Sequence, residues 1–309
     1  MFYGDHKLLA DCYENIKRYV DYVDRTSPTG LTSWGRGDWV PVKSHSSKEL
    51  TSSVYFYVDT KILANAAKMF NKTEDYKYYS ALANKIKNAI NDKFLNRETG
   101  IYGSGVQTEQ SVPLQWGIVP EELKRKVARN LAKQVEAAGF HLDVGVLGAK
   151  AILNALSENG EAETAYKLAA QDTYPSWGCW IANGATTLLE NWDLNATRDI
   201  SDNHMMFGEI GGWFYKGLGG IFPDPESLGF KHILLRPNFP SGLNEFEARY
   251  QSPYGEICSK WERKKNRIVY HVTVPANSTA TFYAPDNVKG ERAVNLEAGK
   301  HILELPIKR

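Results

Sequence analysis

The spacing of apolar residues changes once along this 309-residue chain, near residue 223. Before that point apolar residues recur every three or four positions, as they do from Leu8 to Val23, which indicates α-helices with an apolar face. After Phe222-Pro223-Asp224-Pro225 they alternate with polar residues, which is typical of β-strands. The pattern predicts a mainly α chain with two domains, a helical one over residues 1–222 and a small antiparallel β-sandwich over residues 223–309.

Eight or nine helices joined by short polar turns are predicted in the first domain. The second helix has Ser47 as its N-cap and a nearly continuous apolar segment from Leu50 to Met69, which indicates burial on most sides. The third helix, capped around Thr73, is expected to form an antiparallel hairpin with it. The predicted helices are 8–23, 47–70, 73–94, 110–116, 120–138, 145–156, 161–170, 178–190 and 203–218. The predicted strands are 233–235, 245–250, 267–274, 280–283 and 301–305.

The charge balance excludes whole classes of partner. Lys and Arg total 37 against 36 for Asp and Glu, so no broad field of one sign would attract nucleic acid or an anionic membrane. Cys12, Cys179 and Cys258 are far apart and form no CxxC pair, which argues against a disulfide framework or a zinc site. The first residues lack the basic and apolar regions of a signal peptide, and the compartment, cytoplasm, periplasm or exterior, is left open.

Aromatic rings, glycines and carboxylates are concentrated between residues 174 and 208. If residues 178–189 are helical, Glu190 lies at the C-terminal end of that helix, where the helix dipole disfavours a carboxylate. A residue placed against its local preference is a candidate for function. His204 opens the next helix, so the two side chains can meet at one mouth of a helical ring, where a carboxylate can hold water and an imidazole can bind a hydroxyl.

Each of these residues also has a purely structural interpretation. A lone Glu at a helix end is usually a solvated surface residue, and a lone His usually makes a structural hydrogen bond. Trp177 and Trp192 are candidate platforms for a sugar ring, although each taken alone is more typical of a core.

A second cluster, Trp34-Gly35-Arg36-Gly37-Asp38-Trp39, lies in the loop between the first two helices. Glycines around an exposed Asp and two Trp suit the close approach of a ligand, so Asp38 and Trp39 are candidate substrate contacts. The alternative is a packed loop in which Asp38 caps a turn. Asp143 is interpreted as the N-cap of the helix that follows it.

Taken together, these segments resemble the bacterial α-L-rhamnosidases of glycoside hydrolase family 78, from about residue 3 to residue 222. The most specific part is Gly184-Ala185-Thr186-Thr187 leading to Glu190 and Trp192, followed by Asn203-His204. The other shared segments are Tyr3-Gly4-Asp5, Gly37-Asp38-Trp39, His141-Leu142 before Gly145-Val146-Leu147-Gly148, Tyr174-Pro175-Ser176-Trp177-Gly178, and Phe207-Gly208.

The resemblance implies an (α/α)6 toroid followed by a β-sandwich, and inverting hydrolysis that releases terminal α-L-rhamnose from a glycoside or polysaccharide. One carboxylic acid then protonates the departing oxygen while a second carboxylate, roughly 6.5–9.5 Å away, deprotonates a water on the opposite face. Glu190 aligns with the family's general base, His204 with a sugar-contacting histidine, and Trp39 with an aromatic residue of the rhamnose pocket. The resemblance implies no metal or organic cofactor.

The chain departs from the family pattern in two ways. The family's general acid lies in a segment, Asp-Cys-Pro-x-Arg-x-Glu-Arg-x-Gly-Trp-x-Gly-Asp, that does not occur here, and Leu189 stands where the family usually has Trp. We therefore expect an incomplete toroid whose N-terminal helices lie outside the given sequence, and that part of the same enzyme is a candidate partner. A split gene product and a decayed remnant are the alternatives. Two rival functions stay open, another (α/α)6 glycosidase and a non-catalytic carbohydrate-binding protein.

Overall fold

A computed structural model describes residues 1–308, and the contacts among them divide the chain into two compact units. The helical unit comprises His6–Thr164 and Leu168–Phe207. The sheet unit comprises Met1–Asp5, Ala165–Lys167 and the residues from Gly208 onward. This grouping differs from the predicted domains, because it places residues 1–5, 165–167 and 208–222 with the sheets. The short helices within residues 208–222 contact the sheets, as when Trp261 Nε1 donates a hydrogen bond to the Leu218 carbonyl.

Helices account for most of the first 182 residues, and their order agrees with the predicted pattern. Short 3₁₀ turns lie at residues 121–123 and 205–207. The elements are α1 (Lys7–Thr26), α2 (Lys48–Met69), α3 (Thr73–Phe94), β1 (Leu95–Asn96), β2 (Ile101–Tyr102), α4 (Gln107–Gln115), α5 (Lys124–Ala137), α6 (Val146–Glu158), α7 (Ala162–Ala169) and α8 (Trp177–Ala182). None of the helices in the described part of the chain is long and apolar enough to cross a membrane.

Helix α2 is the most deeply buried long helix, as its apolar run predicts. Twelve of its 22 residues are buried, and Ser47 caps it by accepting a hydrogen bond from the Leu50 amide at 3.2 Å. Helix α3 packs along α2 after a three-residue connection, which confirms the predicted hairpin. The predicted cap at Thr73 is wrong, because Thr73 is already helical and no side chain caps α3.

The predicted helix over residues 178–190 is also wrong beyond Ala182. Helix α8 ends in a Schellman motif, in which the Gly184 amide donates to the Ile181 carbonyl at 3.0 Å and the Ala185 amide donates to the Trp180 carbonyl at 3.0 Å. This geometry needs a left-handed residue after the cap, and Gly184 supplies it with φ of +88°. Residues 185–204 are therefore loop, and Glu190 does not lie at a helix end.

The sheet unit contains two four-stranded sheets that share one apolar core. Its elements are α9 (Glu209–Trp213), β3 (Ile221–Pro223), β4 (His232–Leu235), β5 (Glu245–Ser252), β6 (Gly255–Arg263), β7 (Arg267–Val274), β8 (Thr279–Tyr283), β9 (Ala293–Leu296) and β10 (Gly299–Pro306). The strand orders are β10-β7-β6-β5 and β3-β4-β8-β9. Trp261 and Tyr270 from one sheet pack in the same core as Ile233 and Phe282 from the other.

All strand pairs in this unit are antiparallel except β4 with β8, which is parallel. The parallel pair forms because β5, β6 and β7 build the other sheet before the chain returns to lie beside β4. The predicted succession of helices and then a small β-sandwich is confirmed.

Candidate active site

Three loops of the helical unit meet at the start of α6. The loop of residues 34–39 is held there because the Val146 amide donates a hydrogen bond to the Trp39 carbonyl at 2.9 Å. The loop that carries Glu190 is held because Trp192 Nε1 donates to the Val144 carbonyl at 2.8 Å. The loop that carries His204 ends at Phe207, whose ring centroid lies 4.2 Å from that of Trp192.

Asp38 is the structural centre of this junction. Its Oδ2 accepts hydrogen bonds from the Gly145 amide at 2.7 Å and from Thr108 Oγ1 at 2.5 Å. Its Oδ1 accepts from the Leu147 amide at 2.7 Å and from the Gly148 amide at 3.2 Å. The carboxylate therefore caps α6 from another loop, at the positive end of the helix dipole.

That Asp38 contacts substrate stays a prediction, and the structure gives this residue a capping role. The residue is buried, and its carboxylate oxygens are occupied by four donors from the chain itself. Burial raises the pKa of the Asp38 carboxyl, and these hydrogen bonds oppose that shift. The alternative interpretation, a packed loop with a capping Asp, describes it better, although Asp38 caps a helix rather than a turn.

Two neighbouring residues explain why a distant Asp caps α6. The N-cap position is Gly145, which has no side chain, and a Cβ there would lie 2.2 Å from the Trp39 carbonyl oxygen. Asp143, interpreted as the N-cap from the sequence, instead accepts hydrogen bonds from the Lys43 and Ser44 amides at 2.9 and 3.0 Å. Asp143 thus holds the loop before α2, and that prediction is wrong.

Aromatic rings form a buried cluster beneath the Glu190 loop. Trp192 is 1% exposed, and its ring stacks on Trp180 at 4.8 Å and meets the edge of Trp177 at 5.2 Å. Trp177 is 4% exposed, and its Nε1 donates to the Phe207 carbonyl at 3.0 Å. That Trp177 and Trp192 bind substrate stays a prediction; in this structure both rings are buried and anchor the loops above them.

The Glu190 loop and the His204 loop run side by side. The Glu190 amide donates to the Ser201 carbonyl at 3.0 Å, and the His204 amide donates to the Leu188 carbonyl at 2.9 Å. The Ser201 amide in turn donates to Glu190 Oε2 at 3.1 Å. Glu190 is half-buried, and this bond fixes its carboxylate while Oε1 stays available to a water or substrate.

His204 is also half-buried, and its tautomer follows from its contacts. The Met206 amide donates a hydrogen bond to His204 Nδ1 at 3.1 Å. A neutral ring whose Nδ1 accepts must carry its proton on Nε2, so Nε2 can donate to a hydroxyl oxygen. The structure therefore places Glu190 and His204 on adjacent backbone segments, in loops rather than at the two helix ends that the sequence predicted.

Trp39 is the third predicted residue that keeps an accessible side chain. It is 40% exposed, and the Arg36 guanidinium lies 5.6 Å from its ring centroid. Trp39 also lines a cavity of about 340 Å³ between α1, α2, the 34–39 loop and the start of α6. Trp34, Ser52 and Asp59 also line this cavity.

Asp59 was not singled out by the sequence reasoning, although a carboxylate inside the apolar run of α2 was a usable signal. Burial raises the pKa of the Asp59 carboxyl to about 6, and no hydrogen bond to this side chain is formed by residues 1–308. Within the same described range, no group of three or more His, Cys, Asp or Glu side chains could hold a metal ion.

The comparison with known families covers nearly the whole chain. The model of the bacterial alpha-L-rhamnosidase 6 hairpin glycosidase domain matches residues 1–218, and that of the bacterial alpha-L-rhamnosidase C-terminal domain matches residues 220–299. These two domains are the toroid and the sandwich expected from the sequence, so the predicted fold class is confirmed.

Several alpha-L-rhamnosidases are similar to this chain. An alpha-L-rhamnosidase of Streptomyces avermitilis is 28% identical over 291 residues, which are 92% of this chain and 28% of that protein. The structure of the alpha-L-rhamnosidase from Dictyoglumus thermophilum matches with a TM-score of 0.90 at 32% identity, over 99% of this chain and 38% of that one. The structure of the Streptomyces avermitilis enzyme complexed with L-rhamnose matches with a TM-score of 0.85 at 28% identity, over 99% of this chain and 31% of that one. The chain thus spans about a third of the length of these relatives.

Proposed function

Because the chain belongs to the bacterial α-L-rhamnosidase family, we propose that it acts in the hydrolysis of terminal α-L-rhamnosides with inversion at the anomeric carbon. The observation that carries the proposal is the family match over residues 1–218, which includes every accessible predicted site residue. The relative crystallised with L-rhamnose supports rhamnose as the sugar. The substrate is then a rhamnose-containing glycoside or polysaccharide.

In the proposed mechanism Glu190 is the general base. An ionised carboxylate can take a proton from water as the water attacks the anomeric carbon. The Ser201 amide holds Oε2, so the lone pairs of Oε1 are free to receive that proton. The backbone bonds on both sides of this loop keep the carboxylate in place during the reaction, which is the positioning that such catalysis needs.

His204 and Trp39 have binding roles in this proposal. The Nε2 proton of His204 donates to a rhamnose hydroxyl, and the exposed face of Trp39 packs against the apolar face of the sugar ring. The carboxylic acid that protonates the departing oxygen is not assigned to any residue of this chain, because the family's acid-bearing segment does not occur in it.

Protonation of a leaving group typically contributes about 10²–10⁴-fold to the rate. We therefore expect the purified 309-residue protein to release rhamnose slowly or not at all, while it still binds the sugar. Calorimetric titration with L-rhamnose and a sensitive assay for released rhamnose measure the two properties separately. Rapid turnover by this polypeptide would contradict the assignment of the acid to the absent segment.

The base role is tested by Glu190→Gln, which keeps the size of the side chain and removes its basicity. The expected result is loss of the remaining turnover with retained affinity for L-rhamnose. Glu98→Gln, at an exposed Glu in the turn after β1, is the matched control. Retained turnover in Glu190→Gln would remove Glu190 from the mechanism. Binding of L-rhamnose without turnover in the wild type and in both variants would favour the non-catalytic carbohydrate-binding alternative.

A further inference from the structure

Strand β10 lies at an open edge of its sheet. It pairs with β7 over the whole of Gly299–Pro306 in one continuous antiparallel register. The order β10-β7-β6-β5 places no strand of residues 1–308 on its other side. An edge of this kind presents backbone amides and carbonyls to which another strand can add.

Hydrogen bonds at the C-terminal end of β10 show which backbone groups face outward. The Ile307 amide donates to the Asn266 carbonyl at 3.0 Å, so position 307 bonds on the β7 side. The Lys289 amide donates to the Pro306 carbonyl at 2.7 Å, from the side away from β7. The even-numbered positions of β10 therefore point outward, and the segment that contains Lys289 covers this edge at Pro306.

Three residues of the uncovered part also point outward, because the direction of bonding alternates along an antiparallel strand. They are Lys300, Ile302 and Glu304. Their side chains are exposed on the outer face of the sheet, and that of Ile302 is 64% exposed. Leu303 and Leu305, at the alternate positions, belong to the core or pack against it. An apolar side chain thus lies at the middle of the open edge, between two opposite charges.

The other long edge of the same sheet has no apolar residue on its outer face. The exposed outer positions of β5 are Glu245, Glu247, Arg249 and Gln251. Charged and polar side chains on an edge strand discourage pairing with another chain, which is the usual arrangement in soluble proteins. The exposed Ile302 departs from that arrangement and marks β10 as the edge suited to a partner.

The sequence of β10 is complementary to itself in one antiparallel register. When Ile302 lies opposite Ile302 of a second copy, Lys300 of each chain lies opposite Glu304 of the other. The outward backbone groups of both strands then meet and can form about six hydrogen bonds. Side chains directly opposite one another lie about 4.5–5.5 Å apart, so the two Ile residues make contact and both ion pairs form.

We propose that β10 is a dimerisation strand, through which two copies of this chain pair antiparallel about Ile302. A shift of the register by two residues places Ile302 opposite a charge, and parallel pairing in register places Lys300 opposite Lys300. The reversed copy of the same strand is therefore the partner that the charges fit. The two four-stranded sheets become one continuous sheet in the dimer. This inference is independent of the proposed function.

Sedimentation velocity of the 309-residue protein tests for the dimer. Pairing of one edge strand buries little surface, so we expect a weak dimer with a Kd between about 10 µM and 1 mM. The sedimentation coefficient should rise over this concentration range toward the value of a dimer. A protein that stays monomeric up to about 1 mM would overturn the proposal. Assembly beyond two copies would also overturn it, because an isologous contact closes with two.

Two substitutions at Ile302 locate the contact. Ile302→Pro removes the central outward amide, and proline is tolerated on an edge strand whose amide faces solvent. We expect this variant to remain monomeric at every concentration. Ile302→Thr keeps the preference for a strand and should weaken the dimer by a few-fold, which keeps the test decisive if the proline variant unfolds. Lys265→Glu, in the exposed β6–β7 turn, is the control and should dimerise as the wild type does. Wild-type dimerisation of both Ile302 variants would overturn the assignment to β10.

Charge reversals test the register. Lys300→Glu or Glu304→Lys alone brings like charges together at both ends of the contact, so each variant should dimerise about 10-fold more weakly. Glu304 also lies 3.5 Å from Arg267, but this pair is exposed and has little effect on stability. An equimolar mixture of the two variants restores opposite charges at both ends and should recover the wild-type affinity. The same mixture with Ile302→Pro in both chains should stay monomeric. A mixture that does not recover, or that recovers despite Ile302→Pro, would overturn the proposed pairing.

Discussion

Replacing Asp59 by Asn is expected to stabilise the protein at neutral pH and not at acidic pH. The carboxyl group lies partly buried on α2 beside the cavity, without a hydrogen-bonding partner among residues 1–308. Burial raises its pKa from 3.8 to about 6. The amide of Asn has nearly the same size and is never charged, so the substitution removes only the cost of the buried charge.

The pH window and the size of the effect follow from the raised pKa. Below about pH 4 the group is protonated in both states and has no effect on stability. Between about pH 4 and pH 6 the unfolded chain is ionised while the folded one keeps its proton, so stability falls as pH rises. Above about pH 6 the cost is constant and at most about 3 kcal/mol, at 1.36 kcal/mol per pKa unit. Solvent reaches part of the carboxyl, so about 1–2 kcal/mol is the expected value.

Urea unfolding of the wild type and of Asp59→Asn between about pH 4 and pH 8 measures this difference directly. We expect the two curves to coincide near pH 4 and to separate by about 1–2 kcal/mol above pH 6, which corresponds to roughly 2–8 °C in Tm for a unit of this size. Asp92→Asn, at an exposed position, should follow the wild type throughout. A difference that does not vary with pH, or a wild type that is more stable at pH 8, would show that the Asp59 charge is compensated and would refute the reasoning.

Three further substitutions test the junction at α6, each by urea unfolding. Asp38→Ala leaves three amides, two of them buried, and the Thr108 hydroxyl without their acceptor, and about 3–5 kcal/mol of stability should be lost. A loss below about 1 kcal/mol would contradict its capping role. Gly145→Ala places a Cβ 2.2 Å from the Trp39 carbonyl oxygen and should cost about 1–3 kcal/mol or more; a neutral effect would show that the loop moves freely. Trp192→Ala should cost about 3–5 kcal/mol and remove the near-ultraviolet signal of the stacked rings; retention of both would contradict its burial.

Local signals were sufficient for the long helices. The bounds of α1, α2 and α3 follow from apolar spacing and, for α2, from Ser47, because these features act within a few residues of one another. The end of α8 also had a local signal, Asn183-Gly184, but the apolar residues that follow it continued the helical spacing and hid the turn. Strand β6 was missed because its outward positions carry charged residues and its inward ones include Ser259, which obscures the alternation.

The site residues depended on contacts that no local pattern contains. The sequence cannot distinguish an aromatic ring that packs beneath a loop from one that faces solvent, so Trp177 and Trp192 were grouped with Trp39. The role of Asp38 depends on α6, more than 100 residues away along the chain, and its carboxylate is indistinguishable in sequence from an exposed one. Asp59 becomes a candidate for ligand contact only when the 34–39 loop and α1 are placed around α2, because these elements form the cavity that Asp59 lines.

The buried positions of Trp177 and Trp192 give these rings a structural role beneath the candidate site. Glu190 was singled out because a carboxylate at a helix end is unfavourable, yet in the structure it lies in a loop that a backbone bond to Ser201 and the buried ring of Trp192 hold in place. A loop anchored in this way can present a carboxylate as firmly as a helix end can, because its anchor is packed in a core. The accessible residues are then free to contact a sugar, while the buried rings and Asp38 supply the rigidity. Within residues 184–208, buried residues such as Trp192 hold the loops, while accessible residues such as Glu190 and His204 can contact a sugar. The whole segment therefore resembles the family, although only part of it can touch a ligand.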